Sequence, residues 1–526
     1  MHLHTIHQPG ASMESHIYNA YTMGMKYIRF TDHDTRTGES KKTVNSFDLT
    51  RGVLEYKTDA EVTCGLELIG EFTPEFVNNT LHISGGKRNG VTLCASGKKQ
   101  SRALVSDVTL TLGMAHRLTK GGRIIIDILL SQRPPDHKEA HLLYVIGEPY
   151  SGELKPHYVT TPLAPREDGI YSLHISEDVE RFPEIGGCDN VFGTVSIIIE
   201  GEGEIELSRL EISSVYNYDE VIRRQRELAD RVGSKYGIKP FVTTEISGAG
   251  QHKNCFSTCV PVLDYRHGKI TEEMAAKHVK DHGGIFAYNH PFESSKYKRV
   301  EFTREELDGI VAYESAKLIE SRVVGASLME VGFPMGRGLF TIADHLTLWD
   351  NLTRAGIFIT GYGDSDSHKS HTTWLSGNNF ASWIGVDESI PHPVPEEVFN
   401  AAMVAGRVYM GDPVLLRGEV AFTSDGEEMG SVIMAEDKDY PVSLVISDTE
   451  VGTLVKIIRD GECISEEITE GGRYEKTVDI RPSDGIDFVR AEMYHPSGRC
   501  IMLTNPIYFV KNSPEVKIPE ERAVKL

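Results

Sequence analysis

The chain contains 526 residues, of which 40% are hydrophobic and 25% are charged, so its composition is that of a globular protein and excludes the collagen, coiled-coil and disordered classes. Its 55 Lys and Arg residues against 77 Asp and Glu residues give a formal net charge of −22, which disfavours binding to duplex nucleic acid. No apolar run approaches the roughly 18 residues of a membrane-spanning helix, so we expect no membrane partner.

The first segment of the chain, residues 1–44, predicts alternating helix and strand. A helix is expected over Glu14–Met25, and Lys26–Thr31 predicts a short strand that ends just before the Asp-His-Asp triplet at residues 32–34. Because α/β sheets and barrels bind ligands at the carboxyl ends of their strands, the triplet is a candidate for a functional site.

From residue 45 to residue 215 the pattern changes to a succession of strand-like runs, separated by paired glycines such as Gly121-Gly122. About eight strands without a convincing helix predict an inserted β-sandwich, jelly-roll-like in type. The expected role of this insertion stays open between carbohydrate binding, a lid and an oligomerisation module.

Helical periodicity returns at Tyr218–Tyr236 and is followed by a predicted strand at Lys239–Thr244. Thr303 and Glu306 have the spacing of a capping box, which predicts the start of another helix. The last segment has strand-like runs again and predicts a second β-sandwich. The predicted organisation is an α/β domain in two parts, an inserted sandwich and a carboxyl-terminal sandwich: 1–44 with 216–410, 45–215 and 411–526, respectively.

Histidines and carboxylates recur at the ends of the strands predicted for the α/β domain. His2 and His4 are two residues apart, so on a strand their imidazoles project from the same face. The other clusters lie at residues 32–34, 245, 252, 289–291 and 364–368. Imidazole and carboxylate groups together suit zinc, manganese or iron. Their convergence on one edge of a sheet predicts a metal centre.

The α/β part resembles the PHP (polymerase and histidinol phosphatase) superfamily of metallohydrolases, and looks most like its carbaryl-hydrolase-like branch. The motifs that carry this resemblance occur in the order His-x-His-Thr, Thr-Asp-His-Asp, Thr-Glu-Ile, Gly-x-His-x-Asn, Asn-His-Pro and Ser-Asp-Ser-His. They cover somewhat less than half of the chain. The resemblance implies a distorted, discontinuous (β/α)7 PHP barrel with two or three divalent ions (zinc, manganese or iron) and no organic cofactor.

Carried over residue by residue, the resemblance implies a set of metal ligands. The expected ligands are, for the first ion, His2, His4, Glu245 and Asp366; for the second, the bridging Glu245 with His252 and His290; and for the third, His33 and His368. The family usually has a further His or Asp soon after the first motif. This chain reads Gln8-Pro9-Gly10 there, so His7 is the candidate substitute and the occupancy of the third position stays open.

The chemistry implied by this ligand set is hydrolysis by a water or hydroxide that bridges the metal ions. Divalent ions lower the pKa of a bound water from about 15.7 towards 7 and stabilise charge on a phosphoryl or carbonyl oxygen. Glu245, Asp366 and Asp32 are the catalytic candidates, since Asp366 or Asp32 could orient the water or move its proton. Arg36 and Lys369 stand beside ligand clusters and are the candidates for binding an anionic group of the substrate.

We therefore expect a metal-dependent hydrolase, with a phosphoesterase of small anionic molecules as the leading hypothesis. A carbamate or carboxylic ester hydrolase is the alternative within enzymes, because water is the nucleophile in both reactions. An alternative of another class is a glycan-binding protein with a relic barrel, in which the sandwiches recognise carbohydrate. The near-complete ligand set argues against a relic.

The amino terminus of the sequence leads to two further expectations. No basic region followed by an apolar stretch is visible at Met1–Thr5, so there is no visible signal peptide and a cytoplasmic location is the default. However, only one residue precedes His2, whereas the first barrel strand should begin several residues earlier. We expect either an unusually short strand or a native start that lies upstream.

Overall fold

The structure is a computed structural model of the chain, and it describes residues 3, 13–34, 41–48, 53–56, 65–94, 108–130, 140–152, 157–182, 185, 192–216, 218–265, 268–292, 301–333, 339–367 and 380–524. The protein is a mixed α/β protein with several β-sheets. It divides into two compact units: unit I comprises Met1–His4, Met23–Arg36 and Phe241–Leu526, and unit II comprises Thr5–Thr22 and Thr37–Pro240. The four-part domain organisation expected from the sequence stays a prediction.

The helices of the described residues are α1 (Met13–Thr22), α2 (Ile175–Glu180), α3 (Tyr218–Tyr236), α4 (Glu272–Asp281), α5 (Arg304–Glu320), α6 (Ile342–Arg354) and α7 (Glu396–Val404). The strands of the first half of the chain are β1 (Tyr27–His33), β2 (Lys41–Asp48), β3 (Val53–Tyr56), β4 (Gly65–Ile69), β5 (Glu75–Val77), β6 (Thr80–Cys94), β7 (Val108–Leu118), β8 (Arg123–Leu130), β9 (Ala140–Gly147), β10 (Tyr158–Pro162), β11 (Ile170–His174), β12 (Phe192–Tyr216) and β13 (Lys239–Ile246). The strands of the second half are β14 (Lys253–Cys255), β15 (Phe286–Tyr288), β16 (Leu328–Gly332), β17 (Thr360–Gly363), β18 (Ala381–Ile384), β19 (Val408–Gly411), β20 (Val420–Ser424), β21 (Glu427–Glu428), β22 (Val432–Met434), β23 (Tyr440–Thr449), β24 (Leu454–Arg459), β25 (Glu462–Ile468), β26 (Gly472–Ile480), β27 (Gly485–Tyr494), β28 (Cys500–Thr504) and β29 (Ile507–Lys511).

Unit I contains a six-stranded sheet with the strand order β1-β13-β14-β15-β16-β17. The strand β14 is antiparallel to both β13 and β15, whereas β15, β16 and β17 are parallel to one another. As a result, the end of β13, the start of β14 and the ends of β15, β16 and β17 lie along one edge of the sheet. We call this edge the carboxyl edge.

Leu3, which is fully buried, contacts the end strand β1 and the segment that follows the other end strand, β17. The backbone N–H of Thr31 in β1 donates to the carbonyl of Leu3 (2.9 Å), and Leu3 forms a parallel bridge with Ser367, which follows β17. Leu3 therefore connects β1 to the segment after β17. The complete PHP barrel stays a proposal.

A buried ion pair connects β1 to α7 within unit I. The Arg29 guanidinium, which is 1% exposed, donates to Glu396 Oε1 (3.1 Å) and to Asn400 Oδ1 (3.0 Å). Because Glu396 and Asn400 are four residues apart, they share one face of the helix. The guanidinium also lies over the rings of Phe241 and Phe256, at 5.0 and 4.6 Å from their centroids. This one cation therefore links a strand, a helix and two aromatic side chains.

The carboxyl-terminal part of unit I is a β-sandwich. An eight-stranded sheet, which includes β24, β27, β28 and β29, shares a hydrophobic core with a four-stranded sheet of order β21-β20-β23-β26. Apolar residues alternate along β20 and β23, so that Phe422 and Leu444 point into this core. The eight-stranded sheet also includes β18 and β19, and the second sandwich expected at residues 411–526 stays a prediction in its bounds.

Unit II contains an eleven-stranded sheet and the helices α1, α2 and α3. The long strand β12 pairs with β2, β6, β7 and β8, so the strands form one continuous hydrogen-bonded network. Its core is formed by branched apolar residues such as Ile124, Ile126 and Ile197. The inserted β-sandwich expected from the sequence stays a prediction. Helices α1 and α3 are joined by the Glu14–Lys235 ion pair at 2.9 Å.

Several elements expected from the sequence are confirmed, and others differ in their bounds. The helix at Tyr218–Tyr236 and the capping box of Thr303 and Glu306 are present as predicted. By contrast, β1 continues through His33, so the residue-32 triplet begins inside the strand. The difference arises because polar residues at a strand end still extend the hydrogen-bonded ladder, which a hydrophobicity pattern does not show. Within the described segments, none of the helices has both the length and the apolar character needed to cross a bilayer.

The ion pair between Arg29 and Glu396 gives a testable prediction about stability. In Glu396→Gln the buried guanidinium loses its negatively charged partner, and we expect the free energy of unfolding of the full chain to fall by about 3 kcal/mol. Urea denaturation measures this difference. The matched control is Glu397→Gln on the exposed side of the same helix, for which we expect a change below about 0.5 kcal/mol. Equal stability of the two variants would contradict the structural role of the pair.

Candidate metal centre

Glu245 lies at the carboxyl edge of the sheet, as the second-last residue of β13. The strand is rich in β-branched and aromatic residues and is almost entirely buried, which favours the extended conformation. The Glu245 side chain is 1% exposed, and its strand partner on β14 is Asn254. A carboxylate buried to this degree requires hydrogen bonds or positive charge around it.

Three histidines from three different segments surround the Glu245 carboxylate. His33, the last residue of β1, places its Nδ1 atom 2.5 Å from Glu245 Oε2. His252, just before β14, places Nδ1 3.3 Å from Oε1, and His290, just after β15, places Nε2 3.4 Å from the same oxygen. The antiparallel and parallel strand order described above is what brings these distant positions together.

The rings of the three histidines are arranged edge to face. The ring centroids of His33 and His252 are 4.9 Å apart with an interplanar angle of 69°, and those of His252 and His290 are 5.1 Å apart at 70°. One ligand atom from each of His33, Glu245 and His252 can be chosen so that all three lie within 4.8 Å of one another. The ring nitrogens of His33 and His252 and a carboxylate oxygen of Glu245 are therefore close enough to bind one ion.

The backbone at His290 is held in a left-handed conformation, with a φ of 25°. Its N–H donates to Glu330 Oε2 (2.6 Å), and its carbonyl accepts from Gln251 Nε2 (3.1 Å). Glu330 is buried in β16, the neighbouring strand of the sheet. Because a positive φ is costly for a residue with a side chain, these two hydrogen bonds stabilise the turn that directs the imidazole at Glu245.

The loop that follows Glu245 is attached to the end of β1 by Asp34, which is fully buried. Its Oδ1 atom accepts hydrogen bonds from the backbone N–H of Ser247 (2.8 Å) and of Gly248 (3.4 Å), and its Oδ2 atom accepts from the Tyr265 hydroxyl. Burial raises the pKa of Asp34, and the hydrogen bonds from Tyr265 and Ser247 act in the opposite direction. Asp34 thus fixes the two strand ends that carry His33 and Glu245.

Three buried carboxylates act on the buried hydroxyl of Tyr362. Tyr362 in β17 is fully buried, and burial raises its pKa well above the usual range. The carboxylates of Glu330, Asp364 and Glu245 add to this shift because negative charge opposes ionisation of the phenol. These three carboxylates are each 1% exposed or less. A divalent cation is the kind of group that stabilises such a collection of buried acids.

The structure brings together four of the predicted site residues, namely Glu245, His33, His252 and His290. Of the remaining predictions, Asp32 is buried in β1, and Asp366 is half-buried, follows β17 and has a φ of 43°. The other predicted site residues lie outside the described residues: His2, His4, His7, Arg36, His368 and Lys369. Their roles, and those of Asp32 and Asp366, stay predictions.

Glu330 and Tyr362 shape this site but were not predicted from the sequence, and Asn289, part of the predicted 289–291 cluster, was given no role of its own. Glu330 lies in an apolar strand that the pattern did not identify, although a single carboxylate within the run Leu328–Gly332 could have indicated a special position. Asn289 donates to Glu245 and accepts from the Tyr362 hydroxyl, so Tyr362 is connected to the Glu245 cluster through Asn289. The spacing of residues along the chain does not predict such contacts, because the contacts depend on which strands are neighbours in the sheet.

No protein-family model matches this chain, and no curated protein matches it. Among solved structures, it is similar to a two-domain protein from Bacteroides vulgatus that contains a predicted PHP-like metal-dependent phosphoesterase, with 15% identity over 54% of this chain and 79% of that one, and a TM-score of 0.27. A family 12 xyloglucanase from Bacillus licheniformis covers 34% of this chain and 100% of its own, at 8% identity and a TM-score of 0.21. Endoglucanase Cel12A from Rhodothermus marinus covers 34% of this chain and 98% of its own, at 13% identity and a TM-score of 0.21. TM-scores this far below 0.5 do not establish a shared fold.

The hydrogen bonds of Asp34 lead to a prediction for the loop after Glu245. In Asp34→Ala the backbone N–H groups of Ser247 and Gly248 lose their acceptor inside the protein, and we expect the free energy of unfolding to fall by about 2 to 3 kcal/mol. Hydrogen exchange should become faster at these two amides. The control Tyr265→Phe removes only the hydroxyl donor and should leave the two amides protected. Unchanged exchange in Asp34→Ala would contradict this assignment.

Proposed function

We propose that the chain is a metal-dependent hydrolase and that its substrates are small phosphoesters. The observation that carries the proposal is the convergence of His33, His252 and His290 on the buried carboxylate of Glu245, within 2.5 to 3.4 Å. The motif order that resembles the PHP superfamily supports the same conclusion, because these four residues are among the ligands that the resemblance implies.

The chemistry of the donor set fits a divalent transition metal. Neutral imidazole nitrogens and carboxylate oxygens suit zinc, manganese and iron, whereas calcium and magnesium prefer oxygen ligands alone. The contacts of Glu245 involve both of its oxygens, with Oε2 near His33 and Oε1 near His252 and His290. This arrangement supports the proposal that Glu245 is shared between two ions. His2, His4, Asp366 and His368 are proposed to complete the set.

When bound, such ions lower the pKa of a coordinated water and neutralise charge on the ester group. The chain's own residues would hold and orient the reacting groups. Glu245 and the three histidines would fix the positions of the ions, and Asp32 or Asp366 would accept a proton from the attacking water. Arg36 and Lys369 are proposed to bind the anionic group of the substrate, which the negative charge of the chain would otherwise repel.

We propose phosphoesters as the substrate class because of the negative charge that they carry. A phosphoester carries negative charge into the site, and a pair of divalent ions with a basic side chain stabilises it more than a neutral carbamate or carboxylic ester. The same ligand set can also promote hydrolysis of those esters, because the nucleophile is water in each reaction. Turnover therefore has to be compared across the three substrate classes.

Substitution of the shared carboxylate is the direct test of the proposed function. In Glu245→Gln the site loses the negative charge that binds the ions, and we expect bound metal to fall and phosphoesterase activity to decrease by at least about a hundredfold. Metal content is measured on the full chain after loading with Mn²⁺ or Zn²⁺ and removal of excess ion. The control Glu397→Gln should keep both metal and activity.

Two results would contradict the proposal. Wild-type metal content in Glu245→Gln would refute the shared carboxylate. Another such result is a metal-loaded wild type that shows no activity above buffer on para-nitrophenyl phosphate and phosphodiesters but hydrolyses para-nitrophenyl esters or carbamates. In that case the chain is a carbamate or carboxylic ester hydrolase and not a phosphoesterase. If loading yields less than one ion per chain and no substrate is hydrolysed, the metal-dependent hydrolase itself is refuted and carbohydrate binding becomes the class to examine.

A further inference from the structure

Asn289 donates a hydrogen bond to the carboxylate at the centre of the candidate site. Its Nδ2 atom lies 2.8 Å from Glu245 Oε1, and both side chains are fully buried. The backbone N–H of Asn289 donates to the carbonyl of His252 (3.1 Å), so the residue is anchored to the segment that carries a second member of the site. Asn289 thus contacts the cluster through both its side chain and its backbone.

The orientation of the Asn289 amide is determined by its other partners. Its Oδ1 atom accepts from the backbone N–H of Asn254 (3.1 Å) and from the Tyr362 hydroxyl (3.1 Å). The Tyr362 hydroxyl in turn accepts from Asn254 Nδ2 (3.3 Å), which leaves its proton for Asn289. An ionised carboxylate can only accept, so the amide nitrogen has to face Glu245 and the amide oxygen has to face the other two residues.

We infer that Asn289, held by Tyr362, is a positioning residue that fixes the rotation of the Glu245 carboxylate for metal binding. The hydrogen bond occupies one lone pair of Oε1 and prevents the carboxylate from turning about its terminal bond. Oε2 then stays directed at His33, and Oε1 stays directed at His252 and His290. This inference rests on the proposed metal site and assigns to Asn289 and Tyr362 no contact with an ion.

The geometry of a carboxylate that is shared between two ions explains why its rotation needs to be fixed. A carboxylate between two ions has to present one oxygen to each of them, and a free carboxylate samples many rotations because its terminal torsion is soft. Hydrogen bonds from outside the ligand set select one rotation in advance. Loss of such a partner typically costs about 10-fold to 100-fold in metal affinity or activity.

The experiment is a titration of the metal-free full chain with Co²⁺ alone, read by the visible absorption of the bound ion. For Asn289→Ala we expect a dissociation constant about 10-fold to 100-fold higher than in the wild type and a changed absorption spectrum, because the carboxylate is no longer fixed. For Tyr362→Phe, which removes only one hydroxyl, we expect a smaller increase of about fivefold. The Phe variant keeps the inference testable if Asn289→Ala does not fold.

The matched control is Asn400→Ala, which removes a buried asparagine that bonds Arg29 and the carbonyl of Phe256, away from the Glu245 cluster. It should lower stability but leave the affinity and the spectrum unchanged. Wild-type affinity and spectrum in Tyr362→Phe, and in Asn289→Ala where that variant folds, would overturn the positioning role while the proposed function stands. If the wild type binds no Co²⁺, both the proposed function and this inference fail, so the two failures are distinguishable.

Discussion

The burial of the Glu245 carboxylate is the constraint on which the site depends. A charge removed from water to this extent is stable only if the surrounding groups compensate for it, and here the compensation comes from three histidines and one amide. These four groups come from three strand ends: His33 ends β1, His252 precedes β14, and Asn289 and His290 both follow β15. The sheet order, the left-handed backbone at His290 and the anchoring of Asp34 can all be understood as ways to place them.

The order of the strands converts distant sequence positions into neighbours. Since β14 is antiparallel to β13, the residue that precedes β14 lies beside the residue that ends β13, and His252 therefore reaches Glu245. The return to β15 brings Asn289 and His290 to the same edge, and the parallel strands β16 and β17 bring Glu330 and Tyr362. Buried hydrogen bonds then connect these side chains into one network, in which each member depends on its neighbours.

Part of this organisation could be predicted from the sequence, because it depends on patterns among residues that are close along the chain. The amphipathic helix at Tyr218–Tyr236 and the capping box at Thr303 depend on residues close in sequence, and both are found as expected. The clustering of His252 and His290 with Glu245 followed from the rule that ligands gather at strand ends. The roles of Glu330 and Asn289 could not be predicted, since they depend on which strands pair, and pairing is decided by long-range packing. The continuous sheet of unit II has the same origin, since the length and pairing of β12 follow from contacts far apart in sequence.

The central claim is that Glu245 and its histidines hold divalent ions. A crystal structure of the full chain loaded with Zn²⁺ or Mn²⁺, with anomalous scattering collected at the metal edge, tests it most directly. We predict anomalous peaks about 2.0 to 2.2 Å from the carboxylate oxygens of Glu245 and from ring nitrogens of His33, His252 or His290. Anomalous peaks only at other positions, or a loaded crystal with no peak beside Glu245, would contradict the account.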